Sequence, residues 1–171
     1  MKALVIYFSR KDENWYKNGL KVLTKGNTEI AAEYIAKAVG GDLFEVEPVK
    51  PYAFGYRECC REAEIDLEND ARPAIRGFVD SLDGYDSIFV CYPNWCGTVP
   101  MVIRTFLDHY DLSGKKLIPL CTNEGSGMGR SERDLKKAYP AASFGKGLAI
   151  RGFQCVDSED KLAKWAKANL S

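Results

Sequence analysis

Charge of one sign, histidine and long apolar runs are what this sequence has least of. Its 24 basic and 24 acidic residues cancel, so bulk attraction to nucleic acid or to an anionic membrane is not expected. The only histidine is His109. It has no Cys/His cluster around it, and Cys59, Cys60, Cys91, Cys96, Cys121 and Cys155 show no Cys-x-x-Cys spacing. A metal centre is therefore not expected, and His109 has no matched nucleophile with which to build a hydrolase triad. The apolar run at 2–8 is too short for a secretory or membrane segment, and no later stretch approaches ~18 apolar residues. These features predict a cytoplasmic chain with reduced thiols and no membrane or nucleic-acid partner.

What is present is an alternation of short apolar runs and amphipathic segments. Hydrophobic residues make up 46% of 171, enough for one core in one domain over residues 1–171. Residues 2–8 read as a buried first strand. Asn27–Val39 reads as a helix, with Ile30, Ala31, Tyr34, Ile35 and Ala38 at helical spacing and Gly40-Gly41 ending it. Further strands are predicted at 42–47, 86–92, 115–121 and 143–150. Further helices are predicted at 99–110, entered through Pro100, at 128–138, and at 158–170 with Ser158 as N-cap. Residues 10–25 form a polar insertion after the first strand. The stretch 48–84 predicts helices at 57–67 and 75–82. Alternating strands and helices imply an α/β fold: a doubly wound, five-stranded parallel sheet with helices on both faces.

In such a sheet ligands bind beyond the carboxyl ends of the strands, and three segments there carry suitable chemistry. After the first strand come Ser9 and Arg10, then the insertion, then Lys25, Gly26, Asn27 and Thr28 opening a helix. Unpaired helix-start amides, a glycine and short polar side chains suit a terminal phosphate, though Asn27 or Thr28 would equally serve as an ordinary N-cap. After the third strand, Pro93, Asn94, Trp95, Cys96 and Gly97 put an indole in a Pro/Gly loop. It either faces a flat aromatic ligand or folds back on the adjacent helix. After the fourth, Thr122, Asn123, Glu124, Gly125, Ser126 and Gly127 offer backbone amides to a planar heterocycle, or form a plain flexible loop. A phosphate cradle, an aromatic platform and a glycine-rich amide strip, in that order, match the needs of flavin mononucleotide, FMN.

On those residues the chain resembles the flavodoxin family over essentially its whole length. The resemblance implies strand order 2-1-3-4-5, one non-covalent FMN and electron transfer through the flavin. It implies that Ser9, Asn27 and Thr28 hold the phosphate, with Arg10 or Lys25 as charge partner, and that Trp95 stacks on the ring. Asn94, Gly97 and the Thr122–Gly125 backbone would meet the ring edge, with Glu124 adding negative charge. The chain departs from the family in four respects: the long insertion between Ser9 and Gly26, Lys25 where a hydroxyl is usual, no aromatic in the second ring loop, and neutral rather than acidic net charge. Two functions follow. One is a carrier delivering electrons to a redox partner protein. The other is an NAD(P)H-dependent reductase of quinones or similar small acceptors. A receiver-type signalling module would need an acidic cluster where Ser9-Arg10 stands, and a dinucleotide-binding domain would need Gly-x-Gly-x-x-Gly directly after the first strand.

Bland roles are expected for His109 as a cation at a helix end, for Cys96 as a space filler, for Cys59-Cys60 as packing, and for the scattered basic residues of the insertion as solvated side chains. Trp15 and Tyr16, in the same insertion, either fold over a flavin or form a partner surface.

Overall fold

The computed structural model describes residues 2–171. Its main sheet is built from β1 (Lys2–Tyr7), β4 (Asp42–Glu45), β5 (Tyr85–Pro93), β6 (Lys116–Asn123), β7 (Ser143–Phe144) and β8 (Leu148–Arg151). All pairings are parallel, and the order is β4-β1-β5-β6, followed by β7 and β8, which both pair with β6. This is the order 2-1-3-4-5 with its fifth strand broken in two. The helices are α1 (Asn27–Val39), α2 (Tyr56–Glu68), α3 (Met101–Asp108), α4 (Ser131–Ala138) and α5 (Glu159–Leu170).

The strands are continuous apolar runs because both faces of the sheet are covered. On β1, Leu4 and Ile6 enter one core with Val90, Tyr92 and the α3 residues Val102, Ile103 and Phe106. The alternate residues Ala3, Val5 and Tyr7 enter a second core with Ala31, Ile35 and the α5 residues Leu162 and Ala166. The period-2 alternation of a strand thus divides one apolar run between two layers of helix.

Four sequence expectations are corrected. Residues 75–82 form no helix. Ile75 bridges Pro48, Arg76 N donates to Glu47 O at 2.8 Å, and Val49 N donates to Ala74 O at 2.9 Å. The segment is held extended beside 47–49, and Gly77 further weakens any helix there. The strand expected at 143–150 breaks at 145–147, where Gly145 N donates to Leu117 O and the backbone passes close to Asn169. The helix expected from 128 starts at Ser131, because 128–130 are a turn. Ser158 stands at the N-cap of α5, but its hydroxyl donates to Gln154 O at 2.6 Å and caps nothing.

The polar insertion, which the sequence left unassigned, folds into an antiparallel hairpin of β2 (Asp12–Tyr16) and β3 (Gly19–Leu23), which pair only with each other. His109 is the C-cap of α3, as the sequence suggested, and its ring stacks on Phe78 at 3.9 Å.

Deep thiols make the fold sensitive to alkali. Burial pushes Cys121 and Cys155 from an ordinary 9.0 up to about 12, and pushes Cys91 up as well. As pH rises the unfolded chain releases these protons first. Their stabilising contribution is therefore complete below pH 9 and declines toward pH 12, by ~1.4 kcal/mol per pH unit for each group ionised only in the unfolded chain. The urea midpoint is expected to be flat from pH 7 to 8 and to fall steadily above about pH 9. A midpoint that rises above pH 9 would contradict this account.

Candidate functional site

A cleft of ≈ 410 Å³ opens beyond the carboxyl ends of β1, β5 and β6. It lies where the strand order reverses, between β1 and β5, the position at which open α/β sheets hold ligands. A second hollow of ≈ 420 Å³ lies near the end of α2, between α3 and α4. There Asp134 is engaged by Arg130 and Thr98, and Arg104 by Tyr139.

Ten of the expected site residues line the cleft: Arg10 and Asn27 at one end, Pro93, Asn94, Trp95 and Cys96 from the β5 loop, and Thr122, Asn123, Glu124 and Ser126 from the end of β6 and the loop after it. Ser9, Gly26 and Thr28 lie behind the wall and shape it. Ser9 Oγ accepts from Glu29 N at 3.0 Å and so supplies the α1 cap, while neither Asn27 nor Thr28 does. Gly26, the N-cap residue, sits where a Cβ would come within 2.7 Å of Arg10 O. Thr28 is buried, and its hydroxyl meets that of Thr122 at 2.8 Å. Lys25 is exposed, ion-paired to Glu33 and outside the cleft.

Replacing either threonine of that pair by valine strands a buried hydroxyl, and a cost of ~1–3 kcal/mol is expected. The double valine variant should lose less than the sum of the two, as a double-mutant cycle of urea unfolding would measure.

The loops after β5 and β6 brace each other. Asn94 N donates to Thr122 O at 2.8 Å, Arg130 N to Gly97 O at 2.8 Å, and Asn94 Nδ2 to both Ser126 Oγ and Gly127 O at 3.0 Å. Cys96 and Gly97, with φ of 53° and 78°, form a tight two-residue turn closed by paired hydrogen bonds between Trp95 and Thr98. Cys96 is therefore an exposed turn residue at the cleft, not a space filler. Gly125 also has positive φ, and its amide donates to Asn123 Oδ1 at 2.9 Å.

Trp95 is half-buried and held edge-on by Phe8, at 4.9 Å and 84°, and by Tyr52, at 4.8 Å and 89°. It is both anchored on the core and part of the cleft wall. Glu124 is not a free charge. One carboxylate oxygen accepts from Lys17 N at 2.7 Å and the other from Phe153 N at 2.9 Å. Arg10 donates to Glu13 O and, at 2.6 Å, to Phe54 O. Among the described residues Asn94 Oδ1 is the one buried side-chain oxygen or nitrogen without a hydrogen-bond partner.

The other wall comes from residues outside the three loops. Asn14 and Trp15 enter from the hairpin, while Tyr56, Cys59, Cys60, Ala63 and Glu64 enter from α2. The α2 residues recur at helical spacing, which would have identified them as one face. Burial, with Cys60 adding to it, raises Tyr56 to about 12, and burial raises Cys59 to about 12. Burial also raises Cys96, against the pull of Arg130.

A family model described as Flavodoxin matches residues 21–169. The chain belongs to the flavodoxin family. This flavodoxin-family chain is similar in structure to a protein described as a flavoprotein from Bacteroides eggerthii DSM 20697, with a TM-score of 0.79, 29% identity, and coverage of 99% of this chain and 98% of that one. It also resembles a Lactobacillus acidophilus NCFM flavoprotein solved in complex with FMN, with a TM-score of 0.68, 18% identity, and coverage of 96% and 98%. A third is an FMN-dependent NADH-azoreductase from Bacillus anthracis, with a TM-score of 0.55, 8% identity, and coverage of 98% and 99%. At their low identities the last two likenesses show the fold alone. No curated protein matches the chain in sequence. Among the described residues of this flavodoxin-family chain, no helix is long and apolar enough to cross a membrane, and no group of three or more His, Cys, Asp or Glu is placed to hold a metal.

Proposed function

We propose that this chain binds one FMN non-covalently in the cleft and passes electrons through it. The observation that carries the reading is a cleft at the topological switch point, walled by the Trp95 indole and by the loops after β5 and β6. The rest of the cleft fits the same ligand. Arg10 and the amino end of α1 at Asn27 supply positive potential for a phosphate. Ser9 Oγ accepts from Glu29 N, which leaves its own proton to donate. Trp95, fixed by Phe8 and Tyr52, offers an indole to the ring without first having to be ordered. Backbone groups around Thr122 and Asn123 meet its polar edge.

When bound, FMN supplies the reversible uptake and release of electrons, and the protein supplies position and electrostatics. The redox partner is then a protein or a small acceptor. The net charge of zero favours the reductase reading, because the chain has no strong field with which to steer a charged protein partner.

The test is to load the protein with FMN and supply NADH or NADPH, with and without a quinone. Steady nicotinamide consumption dependent on the quinone identifies a reductase. No turnover, together with rapid re-oxidation of the chemically reduced protein by a one-electron acceptor protein, identifies a carrier. Failure of both would overturn the redox reading.

A further inference from the structure

The hairpin of β2 and β3 is an addition to the sheet, pairing with no strand of it, yet it is fastened at both ends. At its root, Arg10 donates to Phe54 O, Glu13 N donates to Phe54 O at 3.4 Å, and Tyr56 N donates to Glu13 Oε1 at 3.0 Å. These contacts tie it to the start of α2. At its tip, Lys17 N donates to Glu124 Oε2, the Lys17 ammonium lies 5.6 Å from the Phe153 ring centroid, and the Tyr16 ring meets Phe153 edge-on at 6.3 Å. These contacts tie it to the segments after β6 and β8. The hairpin thus reaches from one side of the cleft to the other.

Between these anchors Trp15 lines the cleft, with its ring 6.4 Å from Tyr56. It stays 44% exposed, a large apolar surface with no protein cover. The tip is held under strain. Lys17 has φ 64°, which costs a non-glycine residue energy and persists only where neighbours over-determine it. The neighbour that does so is Glu124, which joins Lys17 N to Phe153 N through the two oxygens of one carboxylate.

Resting on the proposed FMN reading, we propose that this hairpin is the outer wall of the flavin cleft, with Trp15 as a second aromatic plate opposite the Trp95 loop and Glu124 as the latch that holds the wall in place. Trp15 gains cover from the ligand, and the ligand gains a face shielded from water. Glu124 lines the cleft, and as the latch it is a positioning residue that acts through the hairpin it fixes.

The experiment combines amide hydrogen exchange of the ligand-free protein with FMN fluorescence titrations. It uses the wild type, Trp15→Ala, Trp15→Phe, Glu124→Gln and Gly19→Ala, the last a control at a hairpin position with open space around it that does not line the cleft. Trp15→Ala is expected to weaken FMN binding about tenfold and to restore part of its fluorescence, with Trp15→Phe intermediate and Gly19→Ala unchanged. Glu124→Gln is expected to speed exchange at Lys17 and Phe153 without FMN, and to weaken FMN binding severalfold. Wild-type affinity in both Trp15→Ala and Glu124→Gln would overturn the wall and leave the FMN reading standing. No binding by any form, wild type included, would overturn the FMN reading and the plate with it. The latch would then stand or fall on the exchange rates alone.

Discussion

Gly26→Ala is expected to lose ~1–3 kcal/mol of stability and to bind FMN at least about tenfold more weakly. Backbone strain is not the cause, since Gly26 has φ −70° and ψ 153°, which alanine adopts freely. The cause is proximity. A Cβ would lie 2.7 Å from Arg10 O and 2.9 Å from Arg10 C, and closer still to Ser9 Oγ. Ser9 can yield only by giving up the cap it provides to Glu29 N. The Arg10 backbone can yield only by shifting the root of the hairpin, which its guanidinium ties to Glu13 O and Phe54 O. Both movements displace the end of the cleft formed by Arg10 and the start of α1. Gly19→Ala makes the control, because nothing lies within 4 Å of a Cβ there. Urea unfolding and an FMN titration on both variants check the prediction. A Gly26→Ala protein as stable and as tight-binding as Gly19→Ala would refute it.

The largest effect on stability is expected at Phe106. It is 0% exposed in the α3 core, with its ring 5.3 Å from Phe44 and 5.0 Å from Tyr110. Phe106→Ala removes that filling and leaves a cavity in close-packed surroundings, at a cost of ~3–5 kcal/mol. Domains of this kind are stable by only ~5–15 kcal/mol, so the variant should unfold at markedly lower urea. Phe106 does not line the cleft. FMN affinity, measured where the variant is still folded, should stay near that of the wild type. A loss below 1 kcal/mol, or a selective loss of FMN binding, would contradict this placement of core and site.

The buried strands and the place of the cleft were legible for the same reason: a parallel strand buried on both faces leaves a continuous apolar run, as at 3–8 and 88–92; the order of the strands came only from the resemblance to the flavodoxin family. The ends of such runs point to the loops that carry Asn94, Trp95 and Thr122. The hairpin was less legible. Its strands alternate exposed apolar residues such as Trp15, Leu20 and Val22 with polar ones, a pattern that reads as a solvated insertion until its anchors on Phe54 and Glu124 are seen. The α2 wall was hidden differently. Tyr56, Cys59, Cys60 and Ala63 visibly share a helical face, but which way that face points depends on long-range packing. Glu124 was expected as a charge beside the ring. Its capture by two backbone amides depends on Lys17 and Phe153, which only the folded chain brings to it. The helix expected at 75–82 failed because pairing with 47–49 outweighed local periodicity.

The most direct measurement is a titration of FMN fluorescence with the ligand-free protein. The account predicts saturable quenching at one FMN per chain, with weaker binding of riboflavin because the Arg10 and α1 end of the cleft then holds no phosphate. No quenching and no retained flavin at about 1 mM FMN, where even a binding free energy of only ~4 kcal/mol would register, would contradict it.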